Sequence, residues 1–302
     1  MKIQPTTNKT VQVIVKCMAT VLIAAPFLSW SVPAGASEDD NAFSTQGAQT
    51  IYTADLAAMM NPDGLMLMTG GYKRWVKEAA EEGMPARYSQ AGFGLGLNPA
   101  YAKGSLHAEL QPAIFFKVRL AYDLYGFFGT NGGLLSFPDA EAKFGRHELH
   151  DLEGREEKAL GHRGLVQPTF SAKAGPLLII NQTDMAYYRF SGDGPYFLDW
   201  EYDTLVKDGG YVIANRTQFL VPAWKGTGKA VLYVGPYYEI THAHDADLTR
   251  QRAGGQFYWI PIDSLLGMDN PRIYSQLGIN IQDPNRQGEI FMNLGFGVNF
   301  NR

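Results

Sequence analysis

Toward the end of the chain, apolar and non-apolar residues alternate with a period of two. From Ile290 the even positions are Ile290, Met292, Leu294, Phe296, Val298 and Phe300, and Phe291, Asn293, Gly295, Gly297, Asn299 and Asn301 stand between them. Successive side chains of a strand point to opposite faces, so this pattern predicts a strand with one apolar face and one small or polar face. Ile273, Ser275, Leu277, Ile279 and Ile281 alternate in the same way with Arg272, Tyr274, Gln276, Gly278, Asn280 and Gln282. Phe116, Val118, Leu120, Tyr122 and Leu124 oppose Lys117, Arg119, Ala121, Asp123 and Tyr125. Each run is about twice as long as the five or six residues usual for a soluble strand.

Extending this reading predicts strands over 64–76, 88–111, 113–127, 163–174, 177–190, 210–221, 230–242, 251–261, 271–282 and 289–301. Gly175-Pro176 is a tight turn. Three polar or charged stretches, 77–87, 128–162 and 191–209, read as outer loops; within the second, His147, Glu148, His150 and Asp151 read as a solvated loop helix. In 88–111 the apolar positions change parity near Pro99, from Phe93, Leu95 and Leu97 to Leu106, Ala108 and Leu110, which predicts a bulge or a turn. The count is ten antiparallel up-and-down strands. It becomes twelve if 88–111 splits in two and Tyr196 to Val206 forms a further strand.

Long strands with one wholly apolar face suit either a sandwich, where a second sheet covers that face, or a barrel whose apolar face meets lipid. The N-terminus bears on this choice. Lys2, Lys9 and Lys16 precede an apolar run from Cys17 to Val32, and Pro33-Ala34-Gly35-Ala36 follows it. A basic region, a short apolar core and an Ala-x-Ala site predict a cleaved secretory signal peptide over 1–36. Its removal takes three lysines and no acid, moving the net charge from −4 to −7. The acidic balance speaks against nucleic acid as a partner. Cys17 is the only cysteine, so no disulfide framework exists.

With an exported chain and long alternating strands in place, the segment Gly295-Phe296-Gly297-Val298-Asn299-Phe300 resembles the C-terminal strand of Gram-negative outer-membrane β-barrels. The resemblance implies a single transmembrane antiparallel barrel over 64–302, a short periplasmic segment over 37–63, and residence in the outer membrane. It implies outer-membrane lipids around the wall and recognition of the last strand by the barrel assembly machinery. No cofactor is expected. The function expected is non-enzymatic, a structural or interaction barrel or a narrow passive channel for a small solute; an extracellular ligand is a further partner class. The alternative is an outer-membrane hydrolase of lipid or peptide, with its site at the extracellular strand ends; no catalytic residue set can be assembled from the sequence.

The polar faces nominate lumen-lining residues: Lys117, Arg119, Asp123, Asp184, Arg216, Glu239, Arg252 and Arg272. Opposite signs in comparable numbers predict an interior ion-pair network. At an outer strand end, His242, His244, Asp245 and Asp247 place four metal-ligand types within six residues, and two His at i and i+2 of a strand would point the same way. Trp75, Tyr125, Phe127, Tyr187, Tyr188, Tyr237, Tyr238, Tyr258 and Trp259 read as aromatic girdles.

Overall fold

The computed structural model describes residues 47–61, 63–78, 87–228 and 230–301. In chain order they form β1 (Gly47–Met60), β2 (Gly64–Glu78), β3 (Arg87–Leu97), β4 (Tyr101–Ala113), β5 (Phe116–Phe128), β6 (Ser136–Phe137), α1 (Arg146–Asp151), β7 (Lys158–Ala174) and β8 (Leu177–Phe190). These are followed by β9 (Tyr196–Asp199), β10 (Thr204–Lys207), β11 (Tyr211–Lys225), β12 (Val231–Ala243), β13 (Leu248–Ile260), β14 (Ser264–Leu265), β15 (Met268–Gln282) and β16 (Ile290–Asn301). A 3-10 turn, His244–Ala246, joins β12 to β13.

Twelve of the strands form one closed antiparallel barrel in which chain neighbours pair with one another. The seam runs between β1 and β16, with Tyr52 opposite Phe300, and β13 pairs directly with β15, with Gly254 opposite Gly278. Closure leaves no open edge in the wall. The links 61–63, 98–100, 129–157, 191–210, 244–247 and 283–289 lie at one end, here called upper. The links 114–115, 175–176 and 261–267 lie at the lower end, together with Glu78, Arg87, Lys225, Val231, the start of β1 and the end of β16.

The wall therefore has twelve strands, not ten, and only half of the reason anticipated for twelve holds. Segment 88–111 does split: the Asn98 carboxamide oxygen accepts from the backbone N–H groups of Ala100 and Tyr101, at 2.8 and 2.7 Å, and turns the chain at the parity slip. The other added strand is β1, so the wall begins at Gly47 and 47–60 is no separate periplasmic segment. Its two faces, Tyr52, Ala54, Leu56 and Ala58 against Ile51, Thr53, Asp55 and Ala57, differ little in polarity, which hides the alternation. Tyr196 to Val206 is not in the wall. It folds as the hairpin β9–β10, joined by β6 in a separate three-stranded sheet. The extra strand in 87–113 also reverses the side of 77–87: its flanks lie at the lower end, opposite 129–157. Residues 79–86 themselves, and the segment 1–36 expected to be a signal peptide, lie outside the described residues. The expected loop helix is α1, with no buried residue.

The sidedness of the wall is inverted relative to a soluble protein. Every one of the twelve wall strands contributes exposed large apolar side chains outward, among them Leu56, Leu106 at 65% exposure, Leu120, Phe170, Leu277 and Leu294. The opposite faces carry the buried polar residues, such as Lys103, Asp123, Arg163, Gln182 and Gln276. Near the seam, Gly297 keeps a space open. A Cβ there would run into Asp55 Oδ1 and the Arg272 guanidinium, which pair with each other at 2.7 Å. Gly297→Leu is expected to destabilise the barrel by about 1–3 kcal/mol through overpacking. The check is a lower temperature for the heat-induced gel-mobility shift. Gly104→Leu, where a Cβ meets nothing within 4 Å, should leave that temperature unchanged.

Candidate functional site

All eight predicted lumen positions lie on inward faces. Lys117 reaches Glu109 at 3.5 Å, and Asp123 takes two bonds from Arg163 at 2.5 and 2.8 Å. Asp184 accepts from Gln167 and Gln182, both at 2.8 Å. Arg216 pairs with Glu239, Arg272 with Asp55, and Arg252 lies 4.8 Å above the Phe291 ring. Arg119 stands directly across the ladder from Glu109, and its buried Nε has no hydrogen-bond partner.

What closes the upper mouth, however, comes from outside the wall, whereas lower down a buried cluster of wall residues including Leu178, Ile180, Leu220, Tyr258 and Tyr274 fills the interior. Hairpin β9–β10 bends inward, and its two faces supply Phe197, Leu198, Leu205 and Val206, all nearly inaccessible to solvent. Leu198 and Leu205 pack in a cluster that includes Leu165, Ala186, Tyr188 and Val212 from the wall and Leu135 and Phe137 from the link 129–157. Phe197 joins a second cluster with Tyr101, Phe127 and Leu134. Burying both faces of a four-residue strand drives the hairpin down into the barrel mouth. The stretch 191–209, expected as an outer loop, is thus largely an internal plug.

The tip, Trp200 to Asp203, meets the wall through charge. Glu201 binds Lys103 and Arg163, each at 2.6 Å, and accepts from the Tyr125 hydroxyl at 3.1 Å. The Tyr202 hydroxyl donates to Asp184 at 3.0 Å. Asp203 sits among three guanidinium groups, those of Arg250 at 2.8 Å, Arg286 at 3.1 Å and Arg252 at 3.6 Å. The Trp200 ring N–H donates to the Gly133 carbonyl, tying the tip to the link above it. Arg163 is completely buried and also lies over the rings of Tyr125, Tyr188 and Tyr202, within 6.0 Å of each.

The tip carboxyls differ in character. Burial alone would push Glu201 up, but the Arg163 and Lys103 charges outweigh it and hold Glu201 below the usual carboxylate range. Burial, reinforced by the Glu201 charge, pushes Asp199 up toward its neutral form. Asp199 Oδ1 accepts the backbone N–H groups of Glu201 and Tyr202, a turn that shapes the tip. A carboxyl with a lowered value stabilises the folded state at pH above its unfolded value, about 4.3, and loses that contribution as pH falls through its folded value. Docking of the tip is therefore expected to persist through the protonation of Asp199 and to weaken below about pH 4 as Glu201 protonates. Protease cleavage within 191–210, followed against pH with an acid-active enzyme, checks this; Glu201→Gln should remove the transition.

Above the tip lies a cavity of about 990 Å³, lined by Asn61, Asp63, Thr130, Arg146, His147, Trp200 and Arg286 among others. Beneath the tip, a gap of about 30 Å³ reaches Glu201, Arg216, Glu239, Arg252 and Gln276. That is room for about one water molecule. Trp200 borders both spaces, so the tip forms the partition between them.

Sequence reasoning did not single out Asp55, Lys103, Arg163, Arg250, Arg286, Glu201 or Asp203. Strand parity carried a signal for Lys103, which shares a face with Ser105, His107 and Glu109, and for Arg163, which shares a face with Leu165 and Gln167. Nothing periodic marks Glu201 and Asp203, because they lie in a turn.

The structure brings the His242 and His244 rings to 6.1 Å, edge to face, but does not gather the four metal-ligand types at 242–247 into one group. β12 ends at Ala243 and the 3-10 turn begins at His244, so His244 leaves the strand and the two acids lie in and beyond the turn. His242 shares a hydrogen bond with Thr249 at 2.9 Å, His244 stacks on Tyr211, and Asp245 accepts from the Tyr211 backbone. Among the described residues, no group of three or more His, Asp or Glu side chains is placed to hold a metal ion. The girdle expectation divides by parity. Trp75, Tyr187, Tyr238 and Trp259 are exposed on the exterior, whereas Tyr125, Phe127, Tyr188, Tyr237 and Tyr258 are buried in the lumen.

No family model and no curated protein matches the chain. Among solved structures, it is similar to the beta domain of the Bordetella autotransporter BrkA, with 10% identity over 85% of this chain and 99% of that one and a TM-score of 0.39. It is similar to the KdgM porin, with 7% identity over 83% and 98% of the two chains and a TM-score of 0.37. An outer membrane channel from Pseudomonas putida F1 shares 11% identity over 85% and 97%, with a TM-score of 0.38.

Proposed function

We propose that this chain is an integral outer-membrane β-barrel that acts as a narrow passive solute channel, held closed at rest by its own inward hairpin. Membrane residence rests on the inverted wall. An exterior of exposed leucine, phenylalanine and isoleucine around a charged interior is costly in water and matches lipid outside a polar lumen. Wall strands of 11 to 17 residues meet or exceed the roughly 9–11 that a tilted transmembrane strand needs. The upper end, with the long links, faces the cell exterior, and the lower end, with both ends of the wall, faces the periplasm. Residues 1–36 direct export, and β16 presents the signal for assembly.

The observation that carries the channel reading is the origin of the plug. At the upper mouth the block is a loop-borne segment, Trp200 to Asp203, seated on the wall side chains beneath it, and such a segment can leave without unfolding the barrel. The test is conductance in planar bilayers of the refolded protein and of a variant in which 196–207 is replaced by a short Gly-Ser link. The intact protein is expected to stay mainly closed and the variant to show steady open steps. A variant that folds, by heat-modifiable gel mobility, yet never conducts would overturn the channel reading.

A further inference from the structure

The inference concerns the solute, and it rests on the channel reading above. At the level of the hairpin tip the wall strands carry five cations, Lys103, Arg163, Arg216, Arg250 and Arg252, against three carboxylates, Asp123, Asp184 and Glu239. The link 283–289 adds one of each sign, Arg286 and Asp283. The wall is thus two negative charges short of balance, and Glu201 and Asp203 of the tip supply two; Asp199 beside them, buried and bonded to the tip backbone, is held toward its neutral form. Their bonding shows the same division. Asp203 reaches three guanidinium groups at once, while Glu201 bridges Lys103 and Arg163. Below the tip, Lys117 and Arg119 face the single carboxylate of Glu109, so the cationic excess continues toward the lower end.

We infer that the cluster of Arg250, Arg252 and Arg286, with Arg163 and Lys103 beside it, is a binding site for the carboxylate groups of an anionic solute, and that the hairpin occupies it as a built-in competitor. Guanidinium groups converging on one carboxylate form strong charge-assisted bonds, and planar donors suit carboxylate geometry. Withdrawing the tip takes Asp203 from Arg250, Arg252 and Arg286 and Glu201 from Lys103 and Arg163, so that closely spaced like charges, with only Asp123 and Glu239 beside them, repel one another. An incoming carboxylate relieves that repulsion. A ligand shifts a two-state equilibrium only through its preference for one state. Here the preference is built in, because the cations are free to bind solute only when the tip is out. Arg286 also lines the upper cavity, so an anion entering there meets the site at its outer margin.

The test is recording in planar bilayers under a potassium chloride gradient, using the full-length protein and the full-length double variant Glu201→Gln, Asp203→Asn. The variant is expected to open more often and to pass chloride more readily than potassium, read from the sign of the reversal potential. Citrate added on the upper side of the intact protein is expected to raise the open probability by roughly tenfold, within the range of coupling between competing occupants of linked sites. Sucrose at the same concentration should leave it unchanged. If phosphate opens the barrel as well as citrate does, the site selects the oxyanion charge and not the carboxylate group, and the carboxylate assignment is overturned. A conducting barrel that prefers potassium overturns the inference and leaves the channel reading intact. Silence of both this variant and the hairpin-replaced protein overturns the channel reading itself. The reversal potential of the hairpin-replaced protein gives the same answer should the double variant not fold.

Discussion

Asp203→Asn is expected to be the most damaging single substitution in the hairpin, costing about 3–5 kcal/mol. The side chain is almost fully buried and serves Arg250, Arg286 and Arg252 at 2.8, 3.1 and 3.6 Å. Asparagine keeps the size but removes the charge, leaving three guanidinium groups close together with less compensation. Breaking one side of a buried ion pair costs far more than the pair's net value, because the remaining charge stays desolvated. Here three charges remain. Glu239, at 3.5 Å from Arg250 and 3.9 Å from Arg252, cannot take over, since it already binds Arg216. The loss should fall on the docking of the tip before it falls on the wall, whose backbone ladder is untouched. Cleavage between 191 and 210 by protease should accelerate while the heat-induced gel shift changes less. Asp208→Asn, at the pair with the exposed Arg189, serves as the control and should alter neither, because asparagine keeps the oxygen that accepts the Phe190 N–H.

Arg163→Ala is expected to cost a comparable amount, about 3–5 kcal/mol, and to strike the wall as well as the hairpin. Arg163 is the hub between them. It binds Asp123 of β5 through two nitrogens and Glu201 of the tip through a third. Alanine leaves Asp123 with the Ser105 hydroxyl and Glu201 with Lys103 and Tyr125. It also removes the guanidinium from above three tyrosine rings. The prediction is a lower gel-shift temperature together with faster cleavage of the hairpin. A double-mutant cycle with Glu201→Gln separates the two effects. The part of the loss that Glu201→Gln relieves belongs to the hairpin, and the remainder belongs to Asp123 in the wall. Full additivity in that cycle would mean that Arg163 and Glu201 do not act on each other, contrary to their 2.6 Å contact.

Much of the wall was legible in the chain because a strand writes its two environments in alternate letters. Runs such as 290–300 and 116–124 separate a lipid-like face from a polar one residue by residue, and the eight nominated lumen positions follow from that parity alone. β1 was hidden because its two faces are alike in polarity. The turn at Asn98 to Ala100 appeared only as a slip of phase, and reading it as a turn requires the Asn98 side chain to be seen bonding forward. The aromatic residues show the same limit: Tyr187 and Tyr188 are neighbours in sequence, yet one is 47% exposed on the exterior and the other 1% exposed inside.

By itself, the sequence determined an all-β chain of long antiparallel strands with one apolar and one charged face, because strand periodicity is local and each segment carries it independently. Only the tertiary structure decided that 196–207 turns inward and that Glu201 and Asp203 complete the charge of the mouth. Those carboxylates lie 98 residues from Lys103 and 83 from Arg286, so no local pattern links them. What joins them is the closure of the barrel, which brings β4, β7, β13 and the link 283–289 around one small volume and leaves there a shortage of negative charge that a turn in the hairpin fills.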